Sequence, residues 1–426
     1  MLNAESITQV NASRYTAEFL KPLYGNDTFG FANIPRSVQA LLMGTAPPLP
    51  ASCFAGLRQQ YDAVVLIFVD AFGWYCFERY ADELPFLQRF IQTGIASKLT
   101  SMFPSTTTAH VTCIHTGQTP AQSGMYEWFI YDPTIDDSVA PLLFSLARDK
   151  NREGLAALSY NAHALFPRRT LYQDLADAGV QSFVYQSNAF AFSSPTQALC
   201  AGAKLRGYKT LPQAMVQLGR DVALQQRQRT GPSYYQLYFG DIDSIAHEFG
   251  PDSAEVDAEV RAFFTLLEMQ LVKALAGQNV LLMVTADHGQ TALNPKDTLF
   301  LNQHIPNFAH FLQRNQRGDL IRPSGCPRDS FWHIQPARLD EAEAVVRACV
   351  GERALVVRTQ LLVDAGFFGP QPTQALLSRL GNLLVLPYKG QAVWWQEPPT
   401  YKTKLLGNHG GLTHAEAEIP FLVCAL

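Results

Sequence analysis

The stretch Asn279-Val-Leu-Leu-Met-Val-Thr-Ala-Asp287-His288-Gly289 decides the reading of the fold. A short, continuous apolar run bounded by polar and turn residues reads as a strand buried on both faces. A carboxylate and an imidazole side by side where that strand runs out suit metal binding and suit packing poorly. Working outward, the same pattern recurs: Val64-Val-Leu-Ile-Phe-Val ends at Asp70, and Tyr234 to Phe239 leads into Asp243. The predicted strands are Ala63 to Val69, Val180 to Tyr185, Tyr234 to Phe239, Val280 to Thr285 and Pro420 to Ala425. They alternate with segments of helical period, the signature of an α/β fold whose mostly parallel sheet carries helices on its faces. The clearest helix follows Asp252-Ser253, with Val256, Val260, Phe263, Phe264, Leu267, Leu271 and Leu275 on one stripe and Gly277 as its stop.

The chain has 426 residues, 47% of them hydrophobic and 16% charged, which is material for a large core. A formal charge of −4 with mixed signs along the chain shows no basic stripe, which argues against nucleic acid as an obligate partner. The start Met1-Leu-Asn-Ala-Glu-Ser has no basic then apolar pattern, and no apolar run reaches the roughly 18 residues that span a bilayer. The expectation is a cytoplasmic protein without a membrane partner. Seven scattered cysteines (Cys53, Cys76, Cys113, Cys200, Cys326, Cys349, Cys424) without a C-x-x-C pair fit reduced core thiols.

Residues 298–403 read differently, with the turn-rich Arg322-Pro-Ser-Gly-Cys-Pro-Arg328, a separate helix signal at Asp340 to Val350, and Trp394-Trp395. They are expected to form an inserted cap over a core made of 1–297 plus 404–426.

Ligands of open parallel sheets sit beyond the carboxyl ends of the strands. A strand-end Asp such as Asp70 or Asp287 either faces that crevice or caps the next helix. Asp243-x-x-x-His247 puts a carboxylate and an imidazole on one face if a helical turn follows the strand, as two ligands of one metal require; Asp241 and Glu248 compete less well. Ser101-Met-Phe-Pro-Ser-Thr-Thr-Thr108-Ala-His110 is a hydroxyl cluster before an apolar segment. Such a cluster caps a helix, or offers a nucleophile where unpaired helix N–H groups receive a phosphate.

In order along the chain, Asp70, Phe103-Pro-Ser-Thr-Thr107 leading to His115-Thr-Gly117, Asp243-x-x-x-His247 with Gly250-Pro251, Asp287-His288-Gly289 and His409-Gly410 resemble the alkaline phosphatase superfamily. The type I phosphodiesterase/nucleotide pyrophosphatase branch is the most similar. Thr170-Leu-Tyr-Gln-Asp-Leu-Ala-Asp-Ala-Gly179 also looks like that core. The resemblance implies an α/β/α sandwich with a cap, and two divalent metal ions, Zn²⁺ favoured and Mn²⁺ the alternative. It implies Thr107 as nucleophile, with Thr106 and Ser105 as fallbacks. Asp243, His247 and His409 would bind one metal, with His414 the fallback for His409. Asp70, Asp287, His288 and the Thr107 hydroxyl would bind the other. Two departures stand out: His110 occupies the position where many relatives carry a phosphate-holding Asn, and the sequence around Thr107 has no Arg like the one that clamps a doubly charged monoester, with Arg168 and Arg169 as candidates to reach the site.

The implied reaction is hydrolysis of a small-molecule phosphate diester or pyrophosphate, nucleotides included, through a phospho-threonine intermediate. Competing readings are a phosphomutase or phosphomonoesterase of the same superfamily, and a non-catalytic metal-binding protein. A sulfatase is disfavoured because no Cys- or Ser-x-Pro-x-Arg segment lies between Phe103 and His110. Tyr126, Trp128 and Phe129 are expected to be core or lid residues before they are a base-stacking platform.

Overall fold

The computed structural model describes residues 1–58, 60–149, 151–229, 231–397 and 404–426. The site stands on seven strands: β1 (Ala63–Val69), β2 (Ile95–Thr100), β3 (Gln181–Ser187), β4 (Lys204–Tyr208), β5 (Ser233–Phe239), β6 (Val280–Thr285) and β7 (Glu418–Ala425). They form one sheet in the order β2-β7-β6-β1-β5-β3-β4. Only β7 runs against its neighbours; all other pairs are parallel. Every residue of β1 and β6 is buried, so helices cover both faces, and this is why those strands are apolar throughout. The expected α/β fold with a mostly parallel sheet is the one observed.

Two strands were not expected from the sequence. In β2 the run Ile-Ala-Ser-Lys-Leu-Thr reads as polar, yet it is wholly buried. Lys98 Nζ meets Glu418 Oε2 at 3.0 Å, and Asn3 donates to Ser97 Oγ, so the polar side chains are satisfied inside. The edge strand β4, Lys-Leu-Arg-Gly-Tyr, is half-exposed and charged, as unpaired edges tend to be.

Three helices bear on the site: α1 (Thr107–Thr116), α2 (Asp241–Phe249) and α3 (Ala254–Leu266). Ser253 Oγ caps α3 by accepting from Val256 N, and the helix continues through a wider turn at Leu267–Val272 to Leu275. The predicted stripe from Val256 to Leu275 is buried along its whole length, and Gly277 follows with φ +77°. Among the described residues no helix is long and apolar enough to cross a membrane.

Residues from 298 onward carry a three-stranded antiparallel sheet, with Leu383–Pro387 between Ser330–Trp332 and Ala354–Arg358. The predicted helix is present as Leu339–Val350, and Trp332, Trp394 and Trp395 lie in the apolar core beside it. The expected end of the insertion at Thr403 lies outside the described residues. A second small sheet, Ile130–Asp132, Asp137–Ala140 and Ser145–Leu146, was not foreseen. Its Ile130 and Val139 share a core with Phe331, Leu362 and Leu384, so segments far apart in sequence make one apolar unit above the main sheet.

One ion pair locks this upper unit to the core. Arg328 donates from Nε and Nη2 to the two oxygens of Glu416, each at 2.8 Å, and both side chains are fully buried. Glu416 also accepts from the Gly411 N–H at 3.1 Å and from the Thr413 hydroxyl. Burial alone would raise the Glu416 carboxyl, but the Arg328 guanidinium holds it below the usual carboxylate range. Replacing Arg328 by Met leaves that charge buried without a partner, and a loss of about 3–5 kcal/mol in urea unfolding is expected. A loss below about 1 kcal/mol would mean that the pair is not holding the two units together.

Candidate active site

Because β1, β5 and β6 are parallel, their carboxyl ends lie at one edge. The β1–β6 register pairs Ala63 with Val280 and Phe68 with Thr285, and two steps further along each chain stand Asp70 and Asp287. Asp287 Oδ1 accepts from the Ala71 N–H at 3.0 Å, which fixes one carboxylate against the backbone of the other. From β5 the chain enters α2, where Asp243 and His247 face the same way, Oδ2 to Nε2 at 3.3 Å. Thr107 is the first residue of α1, with Thr106 as its cap position, and its Oγ1 lies 3.4 Å from both Asp70 Oδ2 and His288 Nε2. His409 follows Gly407–Asn408, which pairs with Thr291–Ala292 just beyond the Asp287-His288 turn. Its ring stacks on that of His288 at 3.6 Å between centroids. All seven residues expected at the site, Asp70, Thr107, Asp243, His247, Asp287, His288 and His409, therefore meet at one edge of the sheet.

The three imidazoles share one arrangement. Nδ1 of His247 lies 2.8 Å from Gly407 O, that of His409 2.9 Å from Ser105 O, and that of His288 3.2 Å from Gly289 O. Each ring thus spends its Nδ1 proton on a backbone carbonyl and turns an Nε2 lone pair inward, as metal-ligating histidines do. Nε2 of His288 is 3.5 Å from Asp70 Oδ1 and 3.4 Å from Asp287 Oδ2, while Nε2 of His409 is 3.5 Å from Asp243 Oδ1.

The electrostatics follow from the crowding. Burial, then the charges of Asp287 and Asp243, push the Asp70 carboxyl well above its ordinary range. Burial likewise raises Asp287 to about 7. Burial works against the charge on Asp243 too, but His247 and His409 hold that carboxylate below the usual range. Burial pulls His409 down to about 4 and His288 well below its normal value, so both are neutral ligating bases at pH 7. Asp70 Oδ1 and Asp287 Oδ2 are buried with no hydrogen-bond partner. The ligand atoms of Asp70, Asp287 and His288 lie within 4.8 Å of one another, as do those of Asp243, His288 and His409. Divalent cations in these two groups would meet the orphaned oxygens and offset the like charges, so the residues fit the ions. His288 lies within reach of both.

Several residues that sequence reasoning could not place are now resolved. His110 is fully buried, with Nδ1 2.8 Å from Thr106 O while Nε2 accepts from the Met102 N–H at 3.0 Å. Burial lowers it to about 3, and with both nitrogens engaged it braces the loop before Thr107 and is not free to hold a phosphate oxygen. Ser105 Oγ donates to Gly411 O, and His414 pairs with Glu418 away from the site. Arg169 is held at the surface by Asp174 and Asp177. Asp241 and Glu248 are exposed. Tyr126 is a core residue whose hydroxyl donates to Arg379 O. Two site residues went unread: Tyr238, whose hydroxyl donates to Asp70, and Gln290, which donates to Asp243. Tyr238, the penultimate residue of β5, and Gln290, just after Asp287-His288-Gly289, both sit at strand ends, which was the available signal.

Two cavities open on Thr107, Trp128 and Asp243. One, of about 460 Å³, runs between Phe190, Tyr208 and Tyr238, with Arg152 and Lys209 on its wall; the other, of about 380 Å³, runs past His247, His409 and Phe129 to Trp394. Trp394 and the turn Gly325-Cys-Pro327, from the stretch that follows residue 298, therefore line the site.

The family model described as type I phosphodiesterase / nucleotide pyrophosphatase matches residues 64–412. Among solved structures, the chain is similar to murine ectonucleotide pyrophosphatase / phosphodiesterase 5, both as an inactive variant in complex with AMP (15% identity, TM-score 0.63) and without that substitution (16%, 0.62). It is also similar to the human protein of that name (17%, 0.61). Each match covers 85% of this chain and 87% of the other. At such identities the likeness shows the fold. No curated protein matches by sequence.

The raised Asp287 carboxyl has a consequence for protein stripped of divalent cations. Its folded value of about 7 exceeds the unfolded value of about 3.9, so its stabilising contribution is complete at low pH and is lost as pH rises through the folded value. Relative to Asp287→Asn, stripped wild-type protein is expected to lose thermal stability as pH rises from about 4 to about 7, and excess Zn²⁺ at pH 7 to restore it. An unchanging difference between the two proteins across that window would remove Asp287 from the charged cluster.

Proposed function

The chain belongs to the type I phosphodiesterase / nucleotide pyrophosphatase family, and we propose that it hydrolyses small-molecule phosphate diesters or pyrophosphates with Thr107 as the covalent nucleophile. The observation that carries this reading is the Thr107 hydroxyl at the N-terminus of α1, 3.4 Å from both Asp70 and His288. A helix N-terminus directs unpaired N–H groups at phosphate oxygens, so the phosphoryl group has a receptor beside the nucleophile. Asp243, His247 and His409 would hold one divalent cation, and Asp70, Asp287, His288 and Thr107 the other; Zn²⁺ would suit the imidazole-rich set and Mn²⁺ the carboxylates. The chemistry such a pair supplies is a lowered hydroxyl pKa and charge compensation on the entering and leaving oxygens.

Asp70 Oδ2 stands where it orients the Thr107 hydroxyl for in-line attack on phosphorus, with Tyr238 steadying that carboxylate from the other side. The Oγ1–P bond forms as the leaving oxygen departs on the opposite face. Water then attacks the phospho-threonine, returning free Thr107 and releasing a phosphate monoester. The preference for a diester or pyrophosphate rests on the family match, and Arg152 and Lys209 on the wall of the larger cavity supply positive charge for a phosphate-bearing substrate. A cavity of about 460 Å³ with Trp128, Phe190 and Tyr208 on its walls has room for a nucleotide, and AMP is bound by the murine relative. In this reading 1–297 plus 404–426 is the catalytic core, and 298–403 is a cap that closes over the substrate.

Thr107→Ala is expected to lower turnover of a chromogenic diester by on the order of 10³-fold or more while metal content stays unchanged. Acid quenching of the wild type should trap the phosphoryl group, with its remaining ester still attached, on Thr107, and a chromogenic monoester assayed beside the diester with Zn²⁺ or Mn²⁺ should turn over more slowly. Full diesterase activity in Thr107→Ala would remove the nucleophile, and a preference for the monoester would overturn the substrate class.

A further inference from the structure

A third cluster of metal-ligating side chains adjoins the site and takes no part in the chemistry above. Glu127 and Asp329 are buried, 1% and 0% exposed, and with Cys326 they bring ligand atoms within 4.8 Å of one another. Neither carboxylate has a Lys, Arg or His partner among the described residues; the nearby Arg328 is committed to Glu416. Asp329 Oδ1 accepts from the Cys326 N–H at 3.2 Å and the thiol at 3.0 Å, but its fully buried Oδ2 has no hydrogen-bond partner. Glu127 accepts from the Trp128 N–H, but two buried carboxylates without a cationic partner are costly, and the orphaned oxygen marks a place that a ligand can fill. Glu127 and Cys326 also line the 380 Å³ cavity together with Thr107, His247 and His409, so an ion can reach the cluster. The backbone makes room as well: a Cβ on Gly410 would stand 2.7 Å from Asp329 Oδ1 and 2.8 Å from Cys326 Sγ.

We infer that Glu127, Cys326 and Asp329 form a third divalent-cation site, separate from the pair around Thr107. Two carboxylate oxygens and a thiolate select a borderline-soft ion such as Zn²⁺ over Mg²⁺ or Ca²⁺. Binding releases the Cys326 thiol proton, which now points at His409 O at 2.9 Å and Asp329, and a sulfur–metal bond replaces those two contacts. The site would tie three segments together: the turn carrying Glu127, the 326–329 turn of the cap region, and the loop that carries His409. Its role is positioning, because none of its ligands touches the reacting hydroxyl.

The inference does not depend on Thr107 being the nucleophile, and cobalt tests it separately. The full chain, reduced and stripped of metal, is titrated with Co²⁺ alone, following bound equivalents and the near-ultraviolet thiolate-to-cobalt absorption. No ligand proposed for the other two ions is a cysteine, so that band reports the third site. Wild type is expected to bind about three equivalents and show the band; Cys326→Ser should lose the band and one equivalent and keep the other two. Asp329→Asn should bind one equivalent fewer as well. Asp287→Asn is expected to lose an equivalent from the Thr107 site with the band intact, which separates failure of the third site from failure of the paired one. Two equivalents and no band in wild type would overturn the inference. So would an unchanged titration in Asp329→Asn, which would leave Glu127 and Asp329 sharing a proton.

Discussion

The register between β1 and β6 is the constraint on which the molecule turns. Parallel strands hydrogen-bonded from Ala63 with Val280 to Phe68 with Thr285 deliver Asp70 and Asp287 to the same level of the sheet. A slip of one residue would send one carboxylate to the opposite face. Close packing on both faces of both strands opposes that slip, so the core enforces an arrangement that electrostatics alone would reject. Burial raises both carboxyls, the charge of Asp243 adds to both and that of Asp287 pushes Asp70 further, and the protein carries that cost at the sheet edge where a ligand would relieve it.

Much of this was legible in the sequence because it is written in local pattern. β1 and β6 are continuous apolar runs, and the α3 stripe from Val256 to Leu275 keeps a helical period, so each could be read without knowledge of its neighbours. The seven site residues were legible through their order and their places at strand ends and a helix start. β2 was not, since Ser97 and Lys98 look like solvent-facing residues until Asn3 and Glu418, from the two ends of the chain, are seen to satisfy them. His110 was unreadable for the same reason: only the fold shows that Thr106 O and Met102 N occupy its two nitrogens. Cys326 was grouped with the inert thiols, and what sets it apart is the company of Glu127 and Asp329, about 200 residues apart in the chain.

The histidines show how backbone geometry fixes the chemistry of side chains. His247 is oriented by Gly407 O, His409 by Ser105 O and His288 by the carbonyl of Gly289. The first two carbonyls cross-link segments: the loop carrying His409 orients His247, and the loop carrying Ser105, just before Thr107, orients His409. The inward-facing Nε2 atoms are therefore set by the relative placement of three chain segments, and a shift of any one would misdirect a ring that belongs to another.

The same logic explains why the deepest ion pair of the upper unit lies beneath the site. Arg328 and Glu416 make a bidentate pair at 2.8 Å, and Glu416 in addition takes the Gly411 N–H two residues after His409. A buried pair of this kind is a weak source of net stability, because desolvation offsets most of its Coulomb energy, but its planar fork tolerates little displacement. Its value here is geometric. It fixes the turn carrying Cys326 and Asp329 against the loop carrying His409, while Ser105 ties that loop to the helix that presents Thr107. An apolar contact of equal area lacks that directional fork and would leave the loops carrying His409 and Thr107 freer to slide against each other.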